Sequence, residues 1–242
     1  MPPRIHVPPP LAVGAELALP AAAARHVQVL RMQPGDALTL FDGAGGEWAA
    51  TVTHMGRAQV RVQVQAHAAI EREAARAVHL AAGLMAAERM DWLAEKATEL
   101  GAASLTPVLT ERASLRLNGE RALKKRAHWQ AVAVAASEQC GRNRLLDVRE
   151  QLSFQEVLRQ PVAAGQARWL LSPHAGAQPL GAALAALAST QSVHLLSGPE
   201  GGLSATEQAA ALAVGWHPVN LGPRVLRAET APVAALAALM LL

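Results

Sequence analysis

Glu200 and Glu229, with Arg224 and Arg227, are the residues whose types and spacing could do chemistry in this chain. Glu200 lies in Leu195-Leu196-Ser197-Gly198-Pro199-Glu200-Gly201-Gly202-Leu203-Ser204, and the other three in Leu221-Gly222-Pro223-Arg224-Val225-Leu226-Arg227-Ala228-Glu229-Thr230. Two guanidinium groups bracketing a turn can grip a carboxylate or a phosphate bidentately. Glu229, ahead of an apolar segment, suits the positive end of a helix dipole. Gly198, Gly201, Gly202 and Gly222 let a ligand approach the backbone closely, and the helix starts that follow offer free N–H groups. The first turn also reads as an ordinary helix entry, with Ser204 and Glu207 spaced as a capping box.

Each glycine turn follows a short apolar run and precedes an apolar stretch with helical spacing. Both therefore belong at the end of a strand, where α/β sheets bind small ligands, and they read as two walls of one pocket. Leu171, Leu196, Leu221 and Leu226, with Val225, stand at or just after such strand ends and are candidates to line it.

The elements that must carry these turns follow a strand–helix rhythm. Strands are expected at Val78–Leu84, Ser104–Leu109, Arg168–Leu171, Ser192–Leu196 and Pro218–Leu221. Helices are expected at Glu88–Leu100, closed by Gly101, and from about Glu120 to Glu138. Alternation of this kind implies an α/β fold with a mostly parallel sheet covered by helices on both faces. Residues 1 to about 70 read differently, as short strands (36–41, 47–53 and 57–65) with one helix over 21–32, which suggests a small barrel. The charged stretch Glu71–Arg76 reads as a linker between the two.

The 242-residue chain is 51% hydrophobic and 17% charged, which argues against global disorder. Its net charge is only +3, but eight of its 22 basic residues fall between Arg112 and Arg144, opposed there by Glu120 and Glu138 alone. Such a local excess suits a polyanion or a solvated helix face. Arg142-Asn143-Arg144 is expected in an exposed turn suited to RNA phosphates or a splayed base. Cys140, the single cysteine, excludes an intramolecular disulfide, fits a reducing compartment and reads as a packed small residue. No cysteine–histidine spacing suggests a metal site. The longest apolar stretch, 231–242, is too short to span a bilayer and contains Pro232, so a cytoplasmic protein is expected.

Several segments in order along the chain resemble one family. They are Pro3-Arg4-Ile5, His26-Val27-Gln28-Val29-Leu30-Arg31-Met32, Leu40-Phe41-Asp42-Gly43, Glu95-Lys96-Ala97-Thr98-Glu99-Leu100-Gly101, Thr106-Pro107 with Thr110-Glu111-Arg112, and Glu138-Gln139-Cys140-Gly141-Arg142-Asn143-Arg144, together with both glycine turns. The chain so resembles the RsmE family of the SPOUT superfamily, bacterial enzymes that methylate N3 of a uridine in 16S ribosomal RNA.

The resemblance implies a PUA-like RNA-binding β-barrel over residues 1–72 and a SPOUT methyltransferase domain over 73–242. It implies a trefoil-knotted parallel sheet, S-adenosylmethionine as cofactor without a metal, and a homodimer acting on the 30S subunit. The cofactor would meet Leu171, Leu196, Gly198, Glu200, Gly201, Gly202, Leu221, Gly222, Val225 and Leu226. RNA would meet Arg4, Arg25, His26, Arg31, Arg112, Arg142, Asn143 and Arg144.

Uracil N3–H is a weak acid, so either Glu200 or Glu229 would accept its proton while Arg224 or Arg227 steadies the anion, or the proton would pass to water with arginine assistance. Two competitors share parts of the pattern. A ribose 2′-O-methyltransferase would share the cofactor pocket, and a non-enzymatic ribosome-assembly factor would use the basic segment alone.

Overall fold

The computed structural model describes residues 2–161, 163, 165–174 and 176–241. The chain divides into two compact units, one of residues 1–73 with 134–145, the other of 74–133 with 146–242.

The first unit contains β1 (Arg4–His6), β2 (Glu16–Ala18), α1 (Ala21–Val29), β3 (Ala37–Phe41), β4 (Glu47–Met55) and β5 (Val60–Ala68), with the sheet order β1-β3-β4-β5-β2. Alternation sets the inward face: Val60, Val62 and Val64 of β5 are all but fully buried. They pack with Leu38 and Leu40, Ala50 and Val52, and with Ala23, Ala24 and Val27 of α1. The helix stops three residues short of the expected Met32. Leu30 caps it, and Arg31 takes a left-handed conformation at φ 57°.

The second unit contains β6 (Val78–Gly83), α2 (Ala87–Glu99), β7 (Ser104–Leu109) and the first part of α3 (Gly119–Cys140). It continues with β8 (Asp147–Val148), β9 (Leu152–Ser153), α4 (Phe154–Arg159), β10 (Ala167–Leu171), β11 (Gln178–Pro179) and α5 (Leu180–Ala185). It ends with β12 (Val193–Ser197), α6 (Ala205–Ala213), β13 (His217–Asn220) and α7 (Thr230–Leu241). The sheet order is β11-β13-β10-β12-β6-β7-β8, with β9 also on β7, and the strand pairs are parallel.

Successive residues of one strand enter different cores, as the pleat requires. Trp169 and Leu195 pack with Leu93, Trp129 and Leu236, from α2, α3 and α7. Their neighbours Leu170 and Leu196 pack with Phe154, Val157 and Ala211, from α4 and α6. Helices thus cover both faces, as the rhythm of the sequence implies. Gly101 closes α2 at φ 84°, also as expected. The two-residue strands β8, β9 and β11 and the six-residue helix α4 carry too little periodicity to be read from sequence.

Candidate cofactor and active site

Because the sheet is parallel, β6, β10, β12 and β13 end along one edge, and three connections meet there. Ser197–Gly202 leaves β12, Leu171–His174 leaves β10, and Leu221–Leu226 follows β13. They surround a cavity of about 310 Å³ whose lining includes Leu171, Ser197, Gly198, Glu200, Gly201, Gly202, Val225 and Leu226. A smaller cavity of about 70 Å³ shares Leu171, Val225 and Leu226 and adds Leu221, Gly222 and Arg224. The two turns are the two walls that their spacing suggests.

Sterics fix the first turn. A Cβ on Gly198 would lie 2.8 Å from the Leu203 nitrogen, and one on Gly83 only 2.5 Å from the Pro199 nitrogen and Cδ. The end of β6 therefore packs directly on the turn after β12, and only glycine permits that approach. Gly202 donates to the Pro199 carbonyl (2.8 Å), and Ser204 and Glu207 form the capping box of α6. Glu207 reaches further, accepting the Glu111 N–H (2.9 Å). Arg112 donates to the Gly201 carbonyl (3.0 Å) and lines the cavity, a position its basic character alone does not reveal.

The four candidate catalytic residues separate into two pairs. Glu200 accepts the Ala86 N–H (2.9 Å) through Oε1 and the Ser114 hydroxyl (2.6 Å) through Oε2, with Arg89 at 3.4 Å. Burial alone would raise its pKa, but the bonds from Ala86 and Ser114 and the Arg89 charge outweigh it and hold the carboxyl below its ordinary range. Glu229, just ahead of α7, lies 3.7 Å from the same guanidinium, and its Oε2 is buried without a hydrogen bond. Arg89 thus sits between one carboxylate from each turn. By contrast, Arg224 and Arg227 are exposed and make no ion pair among the described residues.

Sequence reasoning missed Gly83, Arg89, Ser114 and Ser197. Gly83 ends a readable strand, but nothing local announces its distant neighbour. Leu196 is not part of the cavity wall: it is fully buried in the core with Phe154 and Leu170. Arg227 and Glu229 flank the lining without joining it.

In the first unit, Arg142-Asn143-Arg144 is not the exposed turn expected, because its first two residues are enclosed. Arg142 is 6% and Asn143 0% exposed. Arg142 forms a two-pronged pair with Glu73 (2.7 and 2.6 Å). Asn143 bonds the Ile70 carbonyl (2.8 Å) and the Arg4 guanidinium. Arg4 is 7% exposed and pairs with Glu47 at 2.7 Å. Glu138 accepts the His6 N–H (2.9 Å) and meets His26 Nδ1 (3.0 Å). The segment folds inward because the side chains of Glu138, Arg142 and Asn143 all find partners there. Arg144 stays exposed, paired with Glu71, and Cys140 is exposed rather than packed.

The cavity suits S-adenosylmethionine in size, at the lower end of ordinary ligand pockets. Ser197 contributes a further sign: the residue is part of the cavity wall, and its hydroxyl is buried without a hydrogen-bond partner among the described residues. A buried orphan of this kind is satisfied when a polar ligand arrives.

Comparison with known proteins supplies the class. The RNA methyltransferase domain family matches residues 72–240, and the RNA methyltransferase PUA domain family matches residues 19–65. Ribosomal RNA small subunit methyltransferase E of Synechocystis is 33% identical over 237 residues, 97% of this chain and 76% of that protein. The Bacillus subtilis protein of the same name is 31% identical, over 88% of this chain and 84% of its own. The crystal structure of the Neisseria gonorrhoeae enzyme bound to S-adenosylmethionine superposes with a TM-score of 0.92 at 34% identity, over 98% of this chain and 96% of that one. The chain belongs to the ribosomal RNA small subunit methyltransferase E family.

Proposed function

We propose that the protein methylates small-subunit ribosomal RNA with S-adenosylmethionine, at N3 of a uridine in 16S RNA. The observation that carries this reading is the cavity at the strand ends, walled by both glycine turns, with the orphaned Ser197 hydroxyl buried in its wall. Leu171, Val225 and Leu226 would form its apolar sides, and the backbone of Gly198–Gly202 would supply polar contacts.

When bound, S-adenosylmethionine supplies an electrophilic methyl group. The chain must then take up the charge of a uracil losing its N3 proton. Both oxygens of Glu200 are occupied and its proton affinity is lowered, so it serves as a clamp and not as a base. Glu229 is shielded beside Arg89. The arrangement favours proton loss to water while Arg224 and Arg227, exposed and without an ion pair among the described residues, steady the anion. Glu200→Gln is then expected to keep the pH dependence of turnover.

Residues 1–72 would dock RNA and residues 73–242 would carry the transfer, acting as a homodimer in the cytoplasm where the ribosomal substrate is found. With Arg4, Arg142 and Asn143 enclosed, RNA contacts fall to Arg25, His26, Arg31 and Arg144 of the first unit and to Arg112 of the second. Methyl transfer from labelled cofactor to 30S subunits lacking the modification, followed by nucleoside analysis, tests the reading. N3-methyluridine supports it; a 2′-O-methyl nucleoside moves the target to the ribose; no cofactor binding rejects the enzyme.

A further inference from the structure

We infer that the end of α1 is a seat for an unpaired nucleotide of the RNA substrate, with Val29 and Leu30 under the base and Arg25, Arg31 and Arg57 around its phosphates. The inference rests on the RNA methyltransferase reading and specifies what the first unit takes hold of.

The unit has eight arginines. Five are matched with carboxylates: Arg4 and Arg72 with Glu47, Arg61 with Glu16, Arg142 with Glu73, and Arg144 with Glu71. Arg25, Arg31 and Arg57 make no ion pair among the described residues, and all three gather at one place. Arg25 is on α1, one turn before Val29, so the two share a face. Arg31 follows the helix end. Gln28 donates to the carbonyls of Gly56 (2.9 Å) and Arg57 (3.3 Å), which holds the β4–β5 turn beside the helix.

Two apolar side chains lie among these cations. Val29 is 70% and Leu30 44% exposed, although the same helix buries Ala23, Ala24 and Val27. Arg31 is also the only non-glycine residue at positive φ among the described residues. Glycine is the ordinary occupant just past a helix end, and strain kept in a side-chain-bearing residue marks functional positions. Unmatched arginines around the patch favour a polyanion over an apolar protein partner. Duplex RNA presents phosphate and ribose, whereas an unpaired nucleotide also presents a base that gains from an apolar floor.

The test uses the full-length protein, a short single-stranded oligoribonucleotide, the duplex of the same sequence, and unmodified 30S subunits. Val29→Ser with Leu30→Ser should weaken single-strand binding about tenfold and leave its salt dependence unchanged. Arg25→Gln and Arg57→Gln should each lower the slope of log affinity against log salt by about 0.7. Arg31→Gly should melt about 2–4 °C higher and yet bind the single strand less tightly, opposite signs that a merely structural residue would not give. Equal loss of duplex binding in the serine variant would overturn the inference. So would lost binding to 30S with naked RNA unaffected, which indicates a protein contact, or unchanged affinity in Arg31→Gly. Cofactor binding should stay at the wild-type level in every variant. Methyl transfer absent from the wild type would reject the enzymatic reading separately from the seat.

Discussion

Replacing Gly83 with alanine isolates the contact on which the cofactor turn depends. The added Cβ would stand 2.5 Å from both the nitrogen and Cδ of Pro199 and 2.9 Å from the Gly198 carbonyl carbon, where ordinary contacts begin at 3.4 Å. Relief requires the end of β6 and the turn after β12 to part by about 0.9 Å, the difference between 3.4 and 2.5 Å. Neither side yields cheaply, because the struck atoms are backbone or proline ring. Both strands are also locked by the parallel register Ser197↔Ala82. Overpacking of this kind costs about 1–3 kcal/mol. Because Gly198–Gly202 line the cavity, most of that cost must be met again when the cofactor draws the turn back into place. S-adenosylmethionine affinity should then fall about 5- to 150-fold. Calorimetric titration of the variant, beside Gly181→Ala in α5, where an added Cβ meets nothing within 4 Å, measures the effect. If Gly83→Ala binds the cofactor within twofold of wild type and melts at the same temperature, the close approach does not shape the site and the reasoning fails.

Ser197→Ala removes an unpaired buried hydroxyl, so the cofactor-free protein should gain about 1 kcal/mol while cofactor affinity drops about tenfold; melting with and without S-adenosylmethionine reads both, and unchanged affinity would mean that the hydroxyl meets no ligand. Burial tends to raise the Glu47 pKa, but hydrogen bonds from Arg72, Arg4 and Asn143 prevail and hold it at about 2, against an ordinary 4.5. Its contribution, about 2 kcal/mol after allowance for solvent screening, is therefore complete above pH 4.5 and lost as pH falls towards 2, and Glu47→Gln should flatten that limb of an acid titration of stability. Burial, then the charges of His79, Arg149 and Arg168, push His194 down to about 4 from 6.5. The unfolded chain thus binds the extra proton, and stability should decline as pH falls from 6.5 to 4, a slope that His194→Leu should reduce in urea titrations.

The glycine turns were legible because backbone geometry at a strand end demands particular residues at particular places. Glycine followed by proline opens both turns, a Ser–Glu cap closes the first, and a parallel sheet brings strand ends together whatever their order. The strands of the second unit were legible for the same local reason, their unbroken apolar runs. Arg89 was not, since it offers only a charge at a helix start until folding places Glu200, 111 residues away in sequence, and Glu229 beside it.

The Glu138–Arg144 segment shows the same limit from the opposite side. Its composition, two arginines and an asparagine after a glycine, is what an RNA-reading loop would contain, and equally what a polar staple would contain. Composition cannot separate these, because the deciding fact is where the carboxylates lie. Glu73 and Glu47, 69 and 96 residues away in sequence, meet Arg142 and Asn143, and Glu138 in turn takes the His6 N–H. Enclosed charges of this kind are costly unless each finds its partner, so one substitution tells the two roles apart. Asn143→Ala leaves the Arg4 guanidinium and the Ile70 carbonyl short of a partner, and should destabilise the first unit by about 1–3 kcal/mol while sparing the affinity of the folded protein for RNA. An RNA-reading asparagine would give the reverse: normal melting and weakened binding.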